Sequence, residues 1–124
     1  MAVTVMDDAD FSYRLVNDAD SETAVVQDVV NGSTTLYSVV IDNTGNAGTE
    51  AHPKLYDSLP DGGVVAGTTA PDLIFMALRA TKATYTIPGG FSFTTGLSYR
   101  CVTEAGTAGT TNPGAAVLVD FVVK

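Results

Sequence analysis

The lone histidine, His52, and the lone cysteine, Cys101, are the first side chains to weigh for acid–base, nucleophilic or metal chemistry in this chain of 124 residues. Neither has the company such chemistry needs. A metal site takes several ligands at fixed spacing, and His52 has no second ligand residue nearby. A nucleophile–base arrangement requires convergent groups, which the spacing here does not supply. His52, followed by Pro53 at the start of an extended run, reads as a surface or loop residue. Cys101 lies in an alternating run between Tyr99 and Thr103 and reads as a small buried hydrophobe. The expectation is a chain without catalytic residues or cofactor.

Other patterns fall short in instructive ways. Asp18-Ala19-Asp20-Ser21-Glu22 sets carboxylates at alternate positions, as a calcium loop does. Thr23 stands where that loop needs glycine, and Val29 where it needs glutamate, so a solvated acidic loop is the reading. Gly62-Gly63 and Gly89-Gly90 lack the Lys-Ser/Thr pair and the helix of a phosphate-binding loop. Tyr13, Tyr37, Tyr56, Tyr85 and Tyr99 invite a sugar platform, but four of them sit in alternating runs where core or cross-strand packing is expected.

The elements that would position these residues are strands. Thr35–Asp42, Lys82–Ile87, Leu97–Val102 and Ala115–Val123 alternate apolar and polar residues with period two. In these runs Tyr37, Val39 and Ile41 share one face, as do Ala83, Tyr85 and Ile87, Leu97, Tyr99 and Cys101, and Val117, Val119, Phe121 and Val123. Asn31-Gly32, Asn43-Thr44-Gly45-Asn46, Asp61-Gly62-Gly63, Pro88-Gly89-Gly90 and Asn112-Pro113-Gly114 supply the turns between them. Asp72–Arg79 is a continuous apolar run that fits either a buried strand or two helical turns, and the strand is preferred. The fold expected is all-β: an antiparallel β-sandwich, jelly-roll or immunoglobulin-like, of about eight strands with little or no helix. An acidic N-terminal arm or first strand covers residues 1–22 and the sandwich domain residues 23–124.

Charge narrows the partners. Six Lys and Arg against fourteen Asp and Glu give a net charge of −8, unsuited to nucleic acid or to an anionic membrane. A single cysteine forms no internal disulfide, so folding does not require an oxidising compartment. The first residues show no secretory signal, and no stretch approaches the ~20 apolar residues of a membrane-spanning helix.

A resemblance adds to these readings. Leu36–Asn46, Lys54-Leu55-Tyr56-Asp57, Gly67–Asp72, Ile87-Pro88-Gly89-Gly90 and Phe93–Ser98 keep the order and spacing seen in small virion proteins of tailed bacteriophages. The chain resembles those proteins, including ones from phages of cyanobacteria, among which capsid decoration or cement proteins are found. The resemblance implies a non-enzymatic sandwich on the capsid exterior, made in the host cytoplasm, a homo-oligomer whose partner is the major capsid protein. Val3, Val5, Tyr56, Phe75 and Met76 are the residues expected at such contacts, through an arm, a strand edge or the apolar run. The alternative is a receptor- or carbohydrate-binding module on a tail, fibre or cell surface, using loop residues such as Asn43, Asn46, Tyr56 and Asn112.

Overall fold

A computed structural model of the chain describes residues 3–7, 13–18, 26–59 and 62–124. Nine strands and no helix occur among them: β1 (Val3–Asp7), β2 (Arg14–Asp18), β3 (Gln27–Val30), β4 (Thr34–Asp42), β5 (His52–Asp57), β6 (Leu73–Ile74), β7 (Lys82–Phe93), β8 (Leu97–Val102) and β9 (Leu118–Val123). They form two antiparallel sheets, ordered β1-β2-β9-β4-β7 and β3-β8-β5-β6. In an immunoglobulin-like sandwich the last strand lies beside the one before it. Here β8 and β9 are in opposite sheets, and β2-β9-β4-β7 facing β3-β8-β5-β6 is the strand order of a jelly roll. Strands β1 and β2 join the larger sheet through β9.

The expected inward faces meet in one core. Leu36, Val39 and Ile41 of β4 and Phe121 and Val123 of β9 are fully buried, as are Leu55 of β5 and Leu97 and Tyr99 of β8. Tyr99 and Phe121 meet across the sheets with ring centres 4.9 Å apart. Burying each such side chain stabilises the fold by about 1.5–3 kcal/mol relative to exposure. Tyr37 departs from the expected face. A bulge between Leu36 and Ser38 breaks the alternation, so Leu36 enters the core and Tyr37 lies half-buried over Gly90. Gly90 has φ +79°, and an added Cβ there would come within 2.3 Å of Thr35, so only glycine fits.

Each end of the sandwich is tied by side chains reading the backbone. At one end Asn43 and Asn46 are buried between loops 43–51, 75–81 and 103–117. Asn43 Nδ2 donates to Thr49 O (3.0 Å) and Leu78 O (3.2 Å). Asn46 Nδ2 donates to Asn43 Oδ1 (2.9 Å) and Ala115 O (3.0 Å), and its Oδ1 accepts from Ala115 N (2.8 Å). At the other end Asp57 accepts from Thr94 N, Thr94 Oγ1, Thr95 N and Gly96 N at 2.8–3.4 Å. Burial pushes its carboxyl up, but these donors outweigh burial and hold it below its ordinary value.

Strands β5 and β8 of the smaller sheet are buried on both faces, and loop 103–114 lies over their outside. Lys54 and Arg100 stand opposite each other across β5 and β8, pointing away from the core. Lys54 Nζ donates to Gly106 O and to Gly109 O (2.9 Å), and Arg100 Nη2 donates to Thr110 O (2.7 Å) and Asn112 Oδ1 (3.1 Å). Burial pushes the Lys54 ammonium below its ordinary value; Glu104 opposes that shift and Arg100 adds to it. Glu104 closes the loop by accepting from Thr103 Oγ1, Thr111 N and Thr111 Oγ1, and the Thr111 hydroxyl is the main cause of its lowered pKa.

Replacing Asn46 with Ala removes the partners of Ala115 N, Ala115 O and Asn43 Oδ1 and is expected to cost about 2–4 kcal/mol in urea denaturation. A loss below about 0.5 kcal/mol, the range of neutral surface changes, would contradict the network. The lowered pKa values of Asp57 and Glu104 stabilise the fold fully above their unfolded values, about 4, and that stability is lost as pH falls through the folded values. Denaturant midpoints are therefore expected to be flat near neutrality and to drop below about pH 4, with a shallower drop in Asp57→Asn.

Candidate binding surface

The apolar run 72–79 resolves as an extended edge, not a helix. β6 pairs with β5, and beyond it Ala77 bridges Ala51 through two hydrogen bonds of 2.9 and 3.0 Å. Phe75 N donates to Pro53 O at 3.1 Å. This phase turns Leu73, Phe75 and Ala77 towards the core. Ile74, Met76 and Leu78 therefore point outwards and are 42%, 38% and 52% exposed. Three successive outward positions in one extended segment form a continuous apolar stripe.

Its backing is firm. Phe75 packs on Tyr85 of β7 with ring centres 5.1 Å apart, and the Tyr85 hydroxyl donates to Met76 O. Leu78 O accepts from Asn43 Nδ2, Thr81 N and Thr81 Oγ1, so the stripe ends where the asparagine pair ties the loops. Ala80 turns the chain with φ 54°, a left-handed conformation that costs an L-residue roughly 1–2 kcal/mol. Arg79 and Lys82 are exposed beside the stripe. By contrast, Lys54 and Arg100 are committed beneath the loop, whereas Arg79 and Lys82 are open to solvent, Lys82 within electrostatic reach of Asp42.

The residues expected at contacts from sequence fall in different places. Met76 is on the stripe, and Phe75 supports it from behind. Tyr56 is 1% exposed, because its outward face is covered with Lys54 and Arg100; this corrects its assignment as a contact. Val3 and Val5 lie in β1, at the edge of the larger sheet, and their side chains are outside the described residues. Residues 19–25, including Asp20 and Glu22 of the acidic loop, are also outside them, and no group of three potential metal ligands occurs among the described residues.

Of the alternative's polar loop residues, Asn43 and Asn46 are buried and spent on the loops, and Asn112 accepts from Arg100. His52 is buried rather than exposed. Its Nδ1 lies 3.1 Å from Thr103 O and its Nε2 3.7 Å from Glu50. Cys101 is in the core, as its alternation suggested. From sequence, either Phe75 or the Ile74–Met76 pair was the candidate outward face of the run, and pairing with β5 selects Ile74 and Met76; Leu78 was legible only as part of the run. No family model, curated protein or solved structure matches this chain.

The phase of the stripe is open to a direct check. Changing Met76 and Leu78 together to Ser is expected to alter stability by no more than about 0.5 kcal/mol per site. Phe75→Ala is expected to cost about 2 kcal/mol or more in the same denaturation series. The reverse ranking would place Phe75 outside.

Proposed function

We propose that the chain is a non-enzymatic virion protein that decorates and braces the outside of a phage capsid, docking through the Ile74–Met76–Leu78 stripe. The observation that carries this reading is an exposed apolar stripe on a rigidly backed sheet edge, flanked by Arg79 and Lys82 in a chain of net charge −8. Exposed apolar residues gathered in one place mark interaction surfaces, whereas scattered ones do not. The two cations favour an acidic partner surface and fix orientation as the apolar side chains desolvate. The sequence resemblance of Leu36–Ser98 to phage virion proteins points to the major capsid protein as that partner.

A brace must transmit load without deforming, and a jelly roll whose ends and outer face are hydrogen-bonded to its loops suits that task. Individually weak contacts on a shell lattice gain strength through multivalency, and a closed homo-oligomer matches local symmetry axes. Acidity and the single cysteine are compatible with accumulation in a reducing host cytoplasm before addition to the shell.

The test uses heads of the source phage purified without this protein. Added full-length chain is expected to bind them saturably and raise their temperature of disruption. The double variant Met76→Asp/Leu78→Asp, folded by circular dichroism, is expected to bind at least about a hundredfold more weakly. Identical particle stability with and without the protein would overturn the bracing role, and undiminished binding of the variant would overturn the docking edge.

A further inference from the structure

At the opposite end of the sandwich, the larger sheet presents a second surface of different chemistry. Ser92 of β7 lies opposite Thr35 of β4. Thr35 and Lys124 exchange two backbone hydrogen bonds of 3.0 Å. Arg14 pairs with Val123, which brings Tyr13 beside Lys124, and Lys124 Nζ lies 5.4 Å from the centre of the Tyr13 ring. Ser92, Thr35, Lys124 and Tyr13 thus form one row across the strands. Adjacent strands lie ~4.8 Å apart, so the row is about 14 Å long.

Tyr37 extends the row, with its ring 5.2 Å from that of Tyr13 at an interplanar angle of 84°. Tyr13 is 37% exposed. A cavity of about 290 Å³ opens along the Ser92–Thr35–Lys124 part of the row, lined by Ser33, Thr34, Thr35, Ser92, Phe93, Thr94 and Lys124, and Tyr13 stands next to it beside Lys124. Two of these hydroxyls are committed: Thr34 Oγ1 donates to Lys124 O at 3.1 Å, and Thr94 Oγ1 to Asp57 at 3.0 Å. The side chains of Ser33, Thr35 and Ser92 make no hydrogen bond among the described residues.

Free hydroxyls donate and accept alike, which suits a ligand that is itself a series of hydroxyls. An exposed tyrosine offers an apolar ring face with a polar tip. A lone ammonium adds selectivity for one negative charge. A polyanion held by charge alone would need a basic patch, and net charge −8 opposes it. We propose that this row binds a short saccharide bearing a carboxylate. Tyr13 lies against a sugar face, Ser33, Thr35 and Ser92 exchange hydrogen bonds with sugar hydroxyls, and Lys124 pairs with the carboxylate. The site is independent of capsid docking: it lies at the end of the sandwich away from Leu78, so both surfaces can be occupied together.

The experiment is a chemical-shift titration of the isotope-labelled full chain with two probes, a galactose oligomer ending in a single galacturonate and the neutral galactose oligomer of equal length. The expected result is saturable shifts at residues 33–35, 92–94 and 124, with about millimolar affinity for the acidic probe. Tyr13→Ala is expected to weaken binding about tenfold, and Lys124→Met to erase the preference for the acidic probe. Met76→Ser/Leu78→Ser serves as the control and is expected to bind both probes as the unaltered chain does. Absence of shifts with both probes at tens of millimolar (about tenfold above the expected constant) overturns the site. Equal affinity for both probes, or shifts clustered elsewhere, overturns it as well.

Discussion

The constraint on which the rest of the molecule depends is the burial of Lys54 and Arg100 side by side beneath loop 103–114. Like charges opposite each other across a strand pair repel and cannot satisfy one another. Carbonyls of Gly106, Gly109 and Thr110 hold them instead, with Asn112 Oδ1. Separating buried charges from their partners costs several kcal/mol, so lifting the loop is strongly opposed while both cations stay charged. The loop in turn seals the outside of β5 and β8, the central strands of the smaller sheet. β6 hangs on β5, and the exposed stripe continues from β6. The proposed docking edge is therefore rigid because a loop on the sheet's outer face is clamped.

That clamp explains what was and was not legible in the sequence. Period-two alternation marked β4, the first half of β7, β8 and β9, and it placed Val39, Tyr99, Cys101 and Phe121 correctly in the core. It left the choice between jelly roll and immunoglobulin-like sandwich open, because that choice is the pairing of β9 with β2 and β4, between residues far apart in the chain. Tyr37 was misplaced because a bulge adds a residue without leaving a compositional mark. Tyr56 was read as a contact because it shares the outward face of Lys54 and Arg100, whose burial depends on a distant loop. Lys54 and Gly106 are 52 residues apart, and a hydrogen bond to a backbone carbonyl leaves no mark in the side-chain sequence. The Gly- and Thr-rich composition of 103–114 was the available clue, since small side chains let a loop bring its backbone down onto a sheet.

The two ends of the sandwich divide the proposed roles. One carries the buried asparagine pair and the apolar stripe; the other carries the Asp57-capped turn and the hydroxyl row. A protein docked by its stripe directs the hydroxyl row away from the surface it covers. Both surfaces are made from side chains that pairing leaves pointing outwards, so neither compromises the core.

Hydrogen–deuterium exchange on the protein free and bound to its shell tests the central claim most directly. The account predicts added protection at residues 73–79 on binding, with residues 33–35 and 92–94 unchanged. Protection concentrated at the hydroxyl-row end, or none at 73–79, would contradict it.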